Sequence, residues 1–197
     1  MSMKKLLIIF ISFLLSSPLF AKEGEMGFGI DLGFGFVDIG AKDTAQTIAN
    51  IAGSTVTYSY DYGALAGRIY IDYGVTDELL FEVGYFQSGD IEAKYTLSGA
   101  SATESYSVNG FDIAAVYAPN NQGFFFKGGF HSSEISGNAS ITISGTTYAA
   151  KATASGGGFL AGGGFDYGDS RVGYTYYANI GGDDDANVGL LYYGWRF

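Results

Sequence analysis

Eight segments of the 197-residue chain alternate between two faces with a period of two. In each segment one face carries no charge, and every charged residue falls on the other face. The uncharged face of the first segment is formed by Phe28, Ile30, Leu32, Phe34 and Phe36. Successive side chains of a strand point to opposite faces, so this period predicts β-strands. Helical spacing does not recur, and the pattern therefore predicts an all-β fold.

The eight predicted strands are short and spread over most of the chain. They cover residues 27–36, 65–73, 79–86, 110–117, 124–131, 158–167, 171–178 and 190–197. A soluble sandwich would place its charged face in water and its apolar face inside. Here the apolar, aromatic face is suited to lipid, and the charged, glycine-rich face to an enclosed interior. That arrangement is typical of a transmembrane β-barrel.

The last predicted strand has one aromatic face. Its outward residues are Leu191, Tyr193, Trp195 and Phe197. Aromatic side chains of membrane barrels gather at the two lipid–water boundaries. The terminal strand is therefore predicted to be a membrane strand whose aromatic residues form part of such a girdle.

The connections alternate in length. Residues 75–78, 118–122 and 168–170 form short turns after the second, fourth and sixth strands, whereas the links after the first, third and fifth strands are long. Bacterial barrels have short periplasmic turns and long extracellular loops. An even strand number then places both termini in the periplasm.

Residues 1–21 have the features of a cleaved secretory signal. Lys4 and Lys5 precede an apolar run from Leu6 to Leu15, and a small residue, Ala21, stands at the expected cut. The run is too short to cross a bilayer as a helix, which requires about 20 residues. Residues 22–197 are expected to form one barrel domain.

Composition excludes several function classes. The formal net charge is −10, which argues against nucleic acid, because phosphates require a basic face. Cysteine is absent, so the chain has no disulfide, no thiol chemistry and no lipidated cysteine.

The terminal pattern Tyr193-x-Trp195-x-Phe197 and the turn segment 73–79 resemble those of small outer-membrane barrels typified by the OmpA transmembrane domain and OmpX. The resemblance implies an eight-stranded antiparallel up-and-down transmembrane β-barrel in the outer membrane of a Gram-negative bacterium. It implies contact with membrane lipid and lipopolysaccharide, and a monomer. It also implies that the barrel assembly machinery reads Tyr193, Trp195 and Phe197 as its C-terminal signal.

The inward faces carry the charges. Mid-height positions are predicted for Asp31, Glu82, Asp112, Arg68 and Lys127, and positions nearer the periplasm for Asp72, Asp166, Arg171 and Arg196. Eight strands enclose room for side chains or one small ligand, and buried charges persist when they are paired. We predict an ion-pair plug that blocks conduction, with Arg68 as its most connected cation. The alternative is a narrow porin-like channel for small or apolar solutes, because the first and sixth strands have glycine-rich inner faces.

Some strands are taller than a bilayer requires. Alternation is predicted to continue from Phe81 through Ile91 to Leu97, and residues 141–148 to form a hairpin with a Ser144-Gly145 turn. This predicts a protruding, Ser/Thr-rich sheet whose free edges can add a partner's strand. The alternation is interrupted at Gly137-Asn138, and Tyr106 and Val108 do not alternate in step with Phe111. Bulges or disordered loops are therefore the alternatives.

Two further motifs carry possible chemistry. Asp183-Asp184-Asp185 could hold Ca²⁺ or bridge Mg²⁺ to lipopolysaccharide phosphates, or could be a solvated loop tip. His131-Ser132-Ser133 loosely resembles the catalytic pair of outer-membrane lipid A deacylases, with Glu134 or Glu104 as a third member. The alternation of residues in this strand places His131 on the inner face of the barrel, away from lipid. There its side chain would cap an interior polar network.

The sequence as a whole predicts an outer-membrane barrel with a structural or adhesin-like, surface-interaction role through its extracellular loops. The channel is the alternative, and a lipid A-modifying enzyme is the third possibility. No catalytic, cofactor or metal site is expected, and the extracellular partner would be a protein or another surface ligand.

Overall fold

The structure, a computed structural model, describes residues 23–38, 41–97, 100–119, 123–182 and 186–197. The described residues form ten strands, one α-helix and a single 3-10 turn at Ile180–Gly182. The strands are β1 (Met26–Asp38), β2 (Thr57–Tyr60), β3 (Gly63–Gly74), β4 (Leu79–Ser88), β5 (Ile91–Leu97), β6 (Ala100–Tyr117), β7 (Gly123–Ile143), β8 (Thr146–Asp166), β9 (Ser170–Tyr177) and β10 (Asn187–Arg196), and the helix is α1 (Ala41–Ala52).

Eight of the strands close into an antiparallel barrel. The order around the barrel is β1, β3, β4, β6, β7, β8, β9 and β10, and β10 pairs with β1 from Gly29–Arg196 to Asp38–Asn187. The predicted fold class, an eight-stranded up-and-down barrel, is confirmed. Two strands lie outside the barrel: β2 pairs with β5, and β5 pairs with β6.

The two faces of the strands are separated as their period of two predicts. Outward Leu32 and Phe126 are 54% and 64% exposed, whereas inward Asp31, Arg68 and Lys127 are buried. An apolar outer surface is the surface that a membrane barrel presents to lipid tails.

The last residue pairs with β1 through backbone hydrogen bonds. The backbone N–H of Phe197 donates to the carbonyl oxygen of Phe28 at 2.7 Å, and the N–H of Phe28 donates back at 2.9 Å. The rings of Tyr193 and Trp195 lie on the outer surface with their centroids 4.8 Å apart. The C-terminal residues therefore complete the ladder and add to the outer aromatic surface.

Several strands continue above the barrel. Strands β7 and β8 are each 21 residues long and pair without a break up to a turn at Ser144 and Gly145, whose φ angles are 50° and 83°. These positive angles suit the two-residue turns that match strand twist. We name as the upper sheet β2, β5 and residues 100–108, 135–143 and 146–155 of β6, β7 and β8. The predicted hairpin is present, and Gly137-Asn138 does not interrupt it.

The predicted continuation from Phe81 to Leu97 on one face is wrong. Phe81 lies outside the barrel, but Ile91, Ala93 and Tyr95 are buried on the inner side. Gly89 and Asp90 separate β4 from β5 and reverse the two faces, as a bulge does. In β6 no such break is present, because Tyr106 and Val108 pair in the same regular ladder that continues to Tyr117.

Helix α1 lies between β1 and β2 and is an addition that the period of two does not predict. Ala45, Ile48 and Ala49 have the spacing of one helix face, and Gly53 follows the helix with a φ of 60°. Ala45 and Ile48 pack against Ala93 and Tyr95 of β5. Neither described helix has the length and apolar content needed to cross a bilayer.

Candidate functional site

Arg68 lies at the centre of the barrel interior. It projects from β3, and its Nε and Nη2 donate to the two carboxylate oxygens of Asp112 at 2.8 and 2.6 Å. Its Nη1 donates to Glu82 at 2.8 Å and lies 3.5 Å from Asp31. One guanidinium thus contacts carboxylates from three other strands, and a forked donor holds such pairs in a fixed geometry.

Arg171 joins the same cluster from β9. Its Nε and Nη2 donate to Asp31 at 3.1 and 2.8 Å, and its Nη1 donates to Glu82 at 2.6 Å. The sequence placed Arg171 nearer the periplasmic end with Asp166, but its long side chain reaches the mid-height layer. The alternation of residues along a strand predicts which face a side chain lies on. It does not predict how far along the barrel axis a long side chain extends.

Lys127 of β7 completes the balance of charge. Its Nζ lies 3.1 Å from Glu82 Oε2, without hydrogen-bond geometry, and is fully buried. The mid-height layer therefore holds three carboxylates and three cations. Buried charges are tolerated when opposite partners surround them.

A second pair lies nearer the end of the barrel that carries the short turns. Arg196 Nη2 donates to Asp72 Oδ1 at 2.8 Å. Asp166, which the sequence placed in the same group, is buried and accepts a hydrogen bond from the backbone N–H of Gly168 at 2.7 Å. Asp166 therefore stabilises the turn between β8 and β9.

Aromatic rings fill the space around the charges. The guanidinium carbons of Arg68 and Arg171 lie 4.7 and 4.3 Å from the centroid of the Tyr70 ring. The Tyr177 ring stacks on Phe86 at 4.4 Å, and its hydroxyl donates to Asp112 at 3.1 Å. Cations over aromatic faces gain electrostatic stabilisation.

The inner glycines give these rings their room. A Cβ added at Gly29 would collide with the Tyr70 ring, one at Gly110 with Phe86, and one at Gly173 with Tyr192. The glycine-rich inner faces are thus covered by side chains from other strands. They do not line an open lumen at these positions.

Above the charges, the interior is apolar. The buried residues of this layer include Val37, Phe86, Ile91, Val108, Ile180, Val188 and Leu190. A cavity of about 10 Å³ lies among them, bordered by Phe86, Val108 and Tyr177. A space of that size holds about one water molecule. The described interior is therefore filled at two levels, one charged and one apolar.

His131 and Ser133 hold a backbone segment. His131 Nε2 lies 2.7 Å from the carbonyl oxygen of Ala178, and Ser133 Oγ accepts from the N–H of Gly181 at 3.0 Å. Both side chains are buried and fix the turn after β9, whereas Ser132 is exposed on the opposite face. The structure does not bring Glu134 or Glu104 to His131. Asp183, Asp184 and Asp185 lie outside the described residues.

Glu104 instead belongs to the upper sheet, where it contacts two tyrosines. The hydroxyls of Tyr106 and Tyr95 donate to its Oε2 at 3.1 and 3.4 Å. Burial, together with the nearby carboxylate, raises the pKa of Tyr95 to about 12 and also raises the pKa of Tyr106. Both tyrosines are consequently neutral donors at neutral pH.

The upper sheet has one polar and one apolar face. Its polar face carries mainly Ser, Thr and Asn, and Thr142 and Thr147 hydrogen-bond across it at 2.8 Å. Helix α1 covers the β5 side of the apolar face. The tip of the β7–β8 side is exposed: Ile141, Ile143 and Tyr148 are 41%, 47% and 60% exposed. Such an apolar patch is typical of a contact surface.

The upper part of β8 is a free strand edge. Strand β9 pairs with β8 only between residues 160 and 166, and no strand in the described ranges pairs with this edge beyond them. The carbonyl of Phe159 accepts from Ala178 on the β9 side. Since β8 continues without a bulge, alternate residues present their N–H and C=O groups to the same edge. These residues are Thr147, Ala149, Lys151, Thr153 and Ser155.

Part of this site could have been found in the sequence. Helical spacing in residues 45–49 was the available signal for α1, whose docking leaves half of the apolar face open. The anchoring of the turn by Ser133 had no such signal, because nothing in the local sequence specifies contacts between residues 48 positions apart.

Comparison with known proteins identifies the fold. No family model matches the chain, and no curated protein matches it. Ail, the attachment invasion locus protein of Yersinia pestis, solved with the heparin analogue sucrose octasulfate, is similar with a TM-score of 0.53 and 16% identity over 89% of this chain and 99% of its own.

Two proteins of Pseudomonas aeruginosa also align. The outer-membrane protein OprG has a TM-score of 0.47 and 10% identity over 90% of this chain and 98% of its own. The N-terminal β-barrel domain of OprF has a TM-score of 0.40 and 14% identity over 89% and 100%. The closed ladder, the apolar outer surface and the similarity to Ail together show that this chain has the fold of the small eight-stranded outer-membrane β-barrels.

Proposed function

We propose that the protein is a closed, monomeric outer-membrane barrel that presents the upper sheet outside the cell for adhesin-like surface interaction. The observation that carries this proposal is the combination of a filled interior with an exposed apolar face and a free edge above it. A filled barrel leaves no route for solutes, whereas an exposed face and edge are surfaces that bind other molecules.

The outer surface of the barrel and two segments of the sequence support the proposed location. Exposed Leu32, Ile69 and Phe126 suit contact with membrane lipid and lipopolysaccharide acyl chains. Tyr193, Trp195 and Phe197 lie on the closing strand, where the barrel assembly machinery would read them. Residues 1–21 would serve as the cleaved signal for export.

The extracellular ligand would differ from a heparin-like polyanion. Ail was solved with a heparin analogue. Among the described residues of the upper sheet, however, the basic side chains are Lys94 and Lys151, and Lys94 Nζ lies 2.8 Å from Glu92. A polyanion requires a cluster of cations for charge complementarity. We propose a protein surface that supplies an apolar contact or an extended strand.

Binding to immobilised extracellular matrix proteins tests this role. The purified protein in nanodiscs is compared with an Ile141→Ser/Tyr148→Ser double variant, and Asn138→Ser on the polar face serves as the matched control. We expect binding by the wild type and the control, loss of binding by the double variant, and no retention on heparin. Salt-sensitive heparin binding that the double variant retains would contradict the proposal.

Planar-bilayer recording tests the closed interior separately. We expect no reproducible open steps, because charged and apolar layers both fill the barrel. Steady steps of uniform size would instead support the narrow channel.

We also propose no catalytic role, since His131 and Ser133 contact the backbone of the turn after β9. Mass spectrometry of lipid A from cells with and without the protein should show the same acyl pattern.

A further inference from the structure

We infer that β8 of one copy pairs antiparallel with β8 of a second copy standing in an opposing membrane. The inference rests on the proposed function, because it requires the upper sheet to lie outside the cell. It names a partner for the free edge, which is another molecule of this chain, and an activity, which is homophilic clustering of the membranes that carry it.

Apart from Lys151, the edge lacks the features that usually prevent strand pairing. Residues 146–155 are all exposed, contain no proline, and carry one charge, on Lys151. Natural edge strands are commonly protected by proline, bulges or several charges. This segment pairs with β7 without a bulge, and no described strand pairs with the N–H and C=O groups that its five edge-facing residues present.

Symmetry determines how two identical edges can pair. To join the same edge of two copies while keeping the apolar faces on one side, the two-fold axis must be perpendicular to the sheet. Rotation about that axis reverses the strand direction, so the pairing is antiparallel. Since β8 runs from the hairpin tip towards the barrel, the two barrels lie at opposite ends of the joined sheet. The two membranes therefore face each other.

Charge and side-chain size select the register. Pairing Ala149 with Ala149 of the second copy places Lys151 opposite Thr147, so that the two lysines are well separated. Centring the pair on Lys151 would place like charges directly opposite, which is destabilising. The Ala149 register also places the exposed Tyr148 beside Ala150 on the apolar face, a large residue against a small one.

Each contact is small and gains strength by repetition. Residues 147–151 of the two copies would form about six backbone hydrogen bonds, two for each hydrogen-bonded pair. A single contact of this size is weak, but many copies on two facing surfaces bind together with high avidity. The expected outcome is clustering of membranes, with little dimer in dilute detergent.

Disulfide trapping tests the pairing directly, because the chain has no native cysteine. Ala149→Cys protein is placed in two populations of phosphatidylcholine vesicles that carry different affinity tags, and the mixture is oxidised. A hydrogen-bonded pair has a Cα separation of about 5.5 Å, which a disulfide can span. We expect a cross-linked product that carries both tags. Ala139→Cys, equally exposed but on β7, should give none.

Vesicle clumping provides the second measurement. Ala149→Pro removes the central edge N–H, which lies on the side of β8 away from β7, and Ala149→Ser keeps it. We expect the proline variant to lose clumping and the serine variant to retain it. Equal clumping by both variants, or no two-tag product from Ala149→Cys, would overturn the inference.

Surface labelling separates this inference from the proposed function. Asn138→Cys lies on the polar face of β7 and is exposed. On intact cells, reaction with a membrane-impermeant maleimide shows that the upper sheet is outside. Labelling without cross-linking removes only the self-pairing, whereas absence of labelling overturns both the self-pairing and the proposed location.

Discussion

At the scale of single residues, the barrel interior depends on charges that have no access to water. Arg68 contacts three carboxylates, and Arg171 contacts two of the same three. Removing one member of such a cluster leaves the others buried without compensation. The cluster therefore links strands that are distant in sequence, and it makes its central cation important for stability.

Replacement of Arg68 by methionine should lower the free energy of unfolding by about 3–5 kcal/mol, because buried carboxylates would lose their main partner. Lys94→Met is the matched control. Lys94 is also ion-paired, but its side chain is 59% exposed, and exposed pairs contribute about 0–1 kcal/mol. Urea unfolding in lipid vesicles measures both. An Arg68→Met effect as small as that of Lys94→Met would contradict the importance of the cluster.

Two neighbouring glycines provide a residue-scale test of packing. A Cβ at Gly129 would collide with the carbonyl of Ile113, whereas one at Gly128 would meet nothing within 4 Å. We expect Gly129→Ala to destabilise the barrel by about 1–3 kcal/mol, as overpacking does, and Gly128→Ala to be neutral. Heat-dependent gel mobility of the folded barrel measures the difference. Equal stability of the two variants would contradict the close approach at Gly129.

At the scale of elements, the upper sheet requires cover for its apolar face. Strand β5 turns Ile91, Ala93 and Tyr95 inward after the Gly89–Asp90 break, and α1 packs on this side. On the β7–β8 side the turn Ile180–Gly182 lies against Ile135 and Ala154 at the base of the sheet. Nearer the hairpin tip, Ile141, Ile143 and Tyr148 are exposed. Among the described residues, α1 therefore covers the β5 side of the apolar face, and the tip of the β7–β8 hairpin stays exposed.

Docking of α1 can be tested with one buried and one exposed position. Ala45→Asp would bury a charge against Ala93 and should release the helix, whereas Ile51→Asp, at a position that is 83% exposed, should not. Limited proteolysis of residues 41–56 measures the release. If both variants are cut at the wild-type rate, the packing of α1 on β5 is not what protects this segment.

The strands were predictable from sequence, and their continuation above the barrel was predictable only in part. A period of two identifies strands because each alternate residue meets a different environment. It does not reveal a face reversal such as that at Gly89–Asp90. Apolar residues keep odd numbers on both sides of this break, although they lie on opposite faces of the sheet. Helix α1 was missed because the strand pattern on both sides dominates a short, weakly apolar segment.

At the scale of the whole molecule, the closed barrel was predictable from its strands. Strands that span a membrane must close into a barrel, because closure leaves no free strand edge in the membrane region. The positions of interior side chains were predictable only as facing inward. Their partners depend on strand stagger and on long side chains, as the height reached by Arg171 shows. The resulting molecule has an apolar outer surface, a filled interior and an upper sheet whose long β8 edge is unpaired among the described strands.

The central claim is that the uncharged face of each barrel strand contacts lipid. Spin labels on single cysteines at Leu32, Ile69 and Phe126 test it most directly, with the protein reconstituted in lipid vesicles. We predict frequent collision with dissolved oxygen, which concentrates in hydrocarbon, and little with a water-soluble nickel chelate. Frequent collision with the chelate at these three positions would show that this face meets water and would contradict the account.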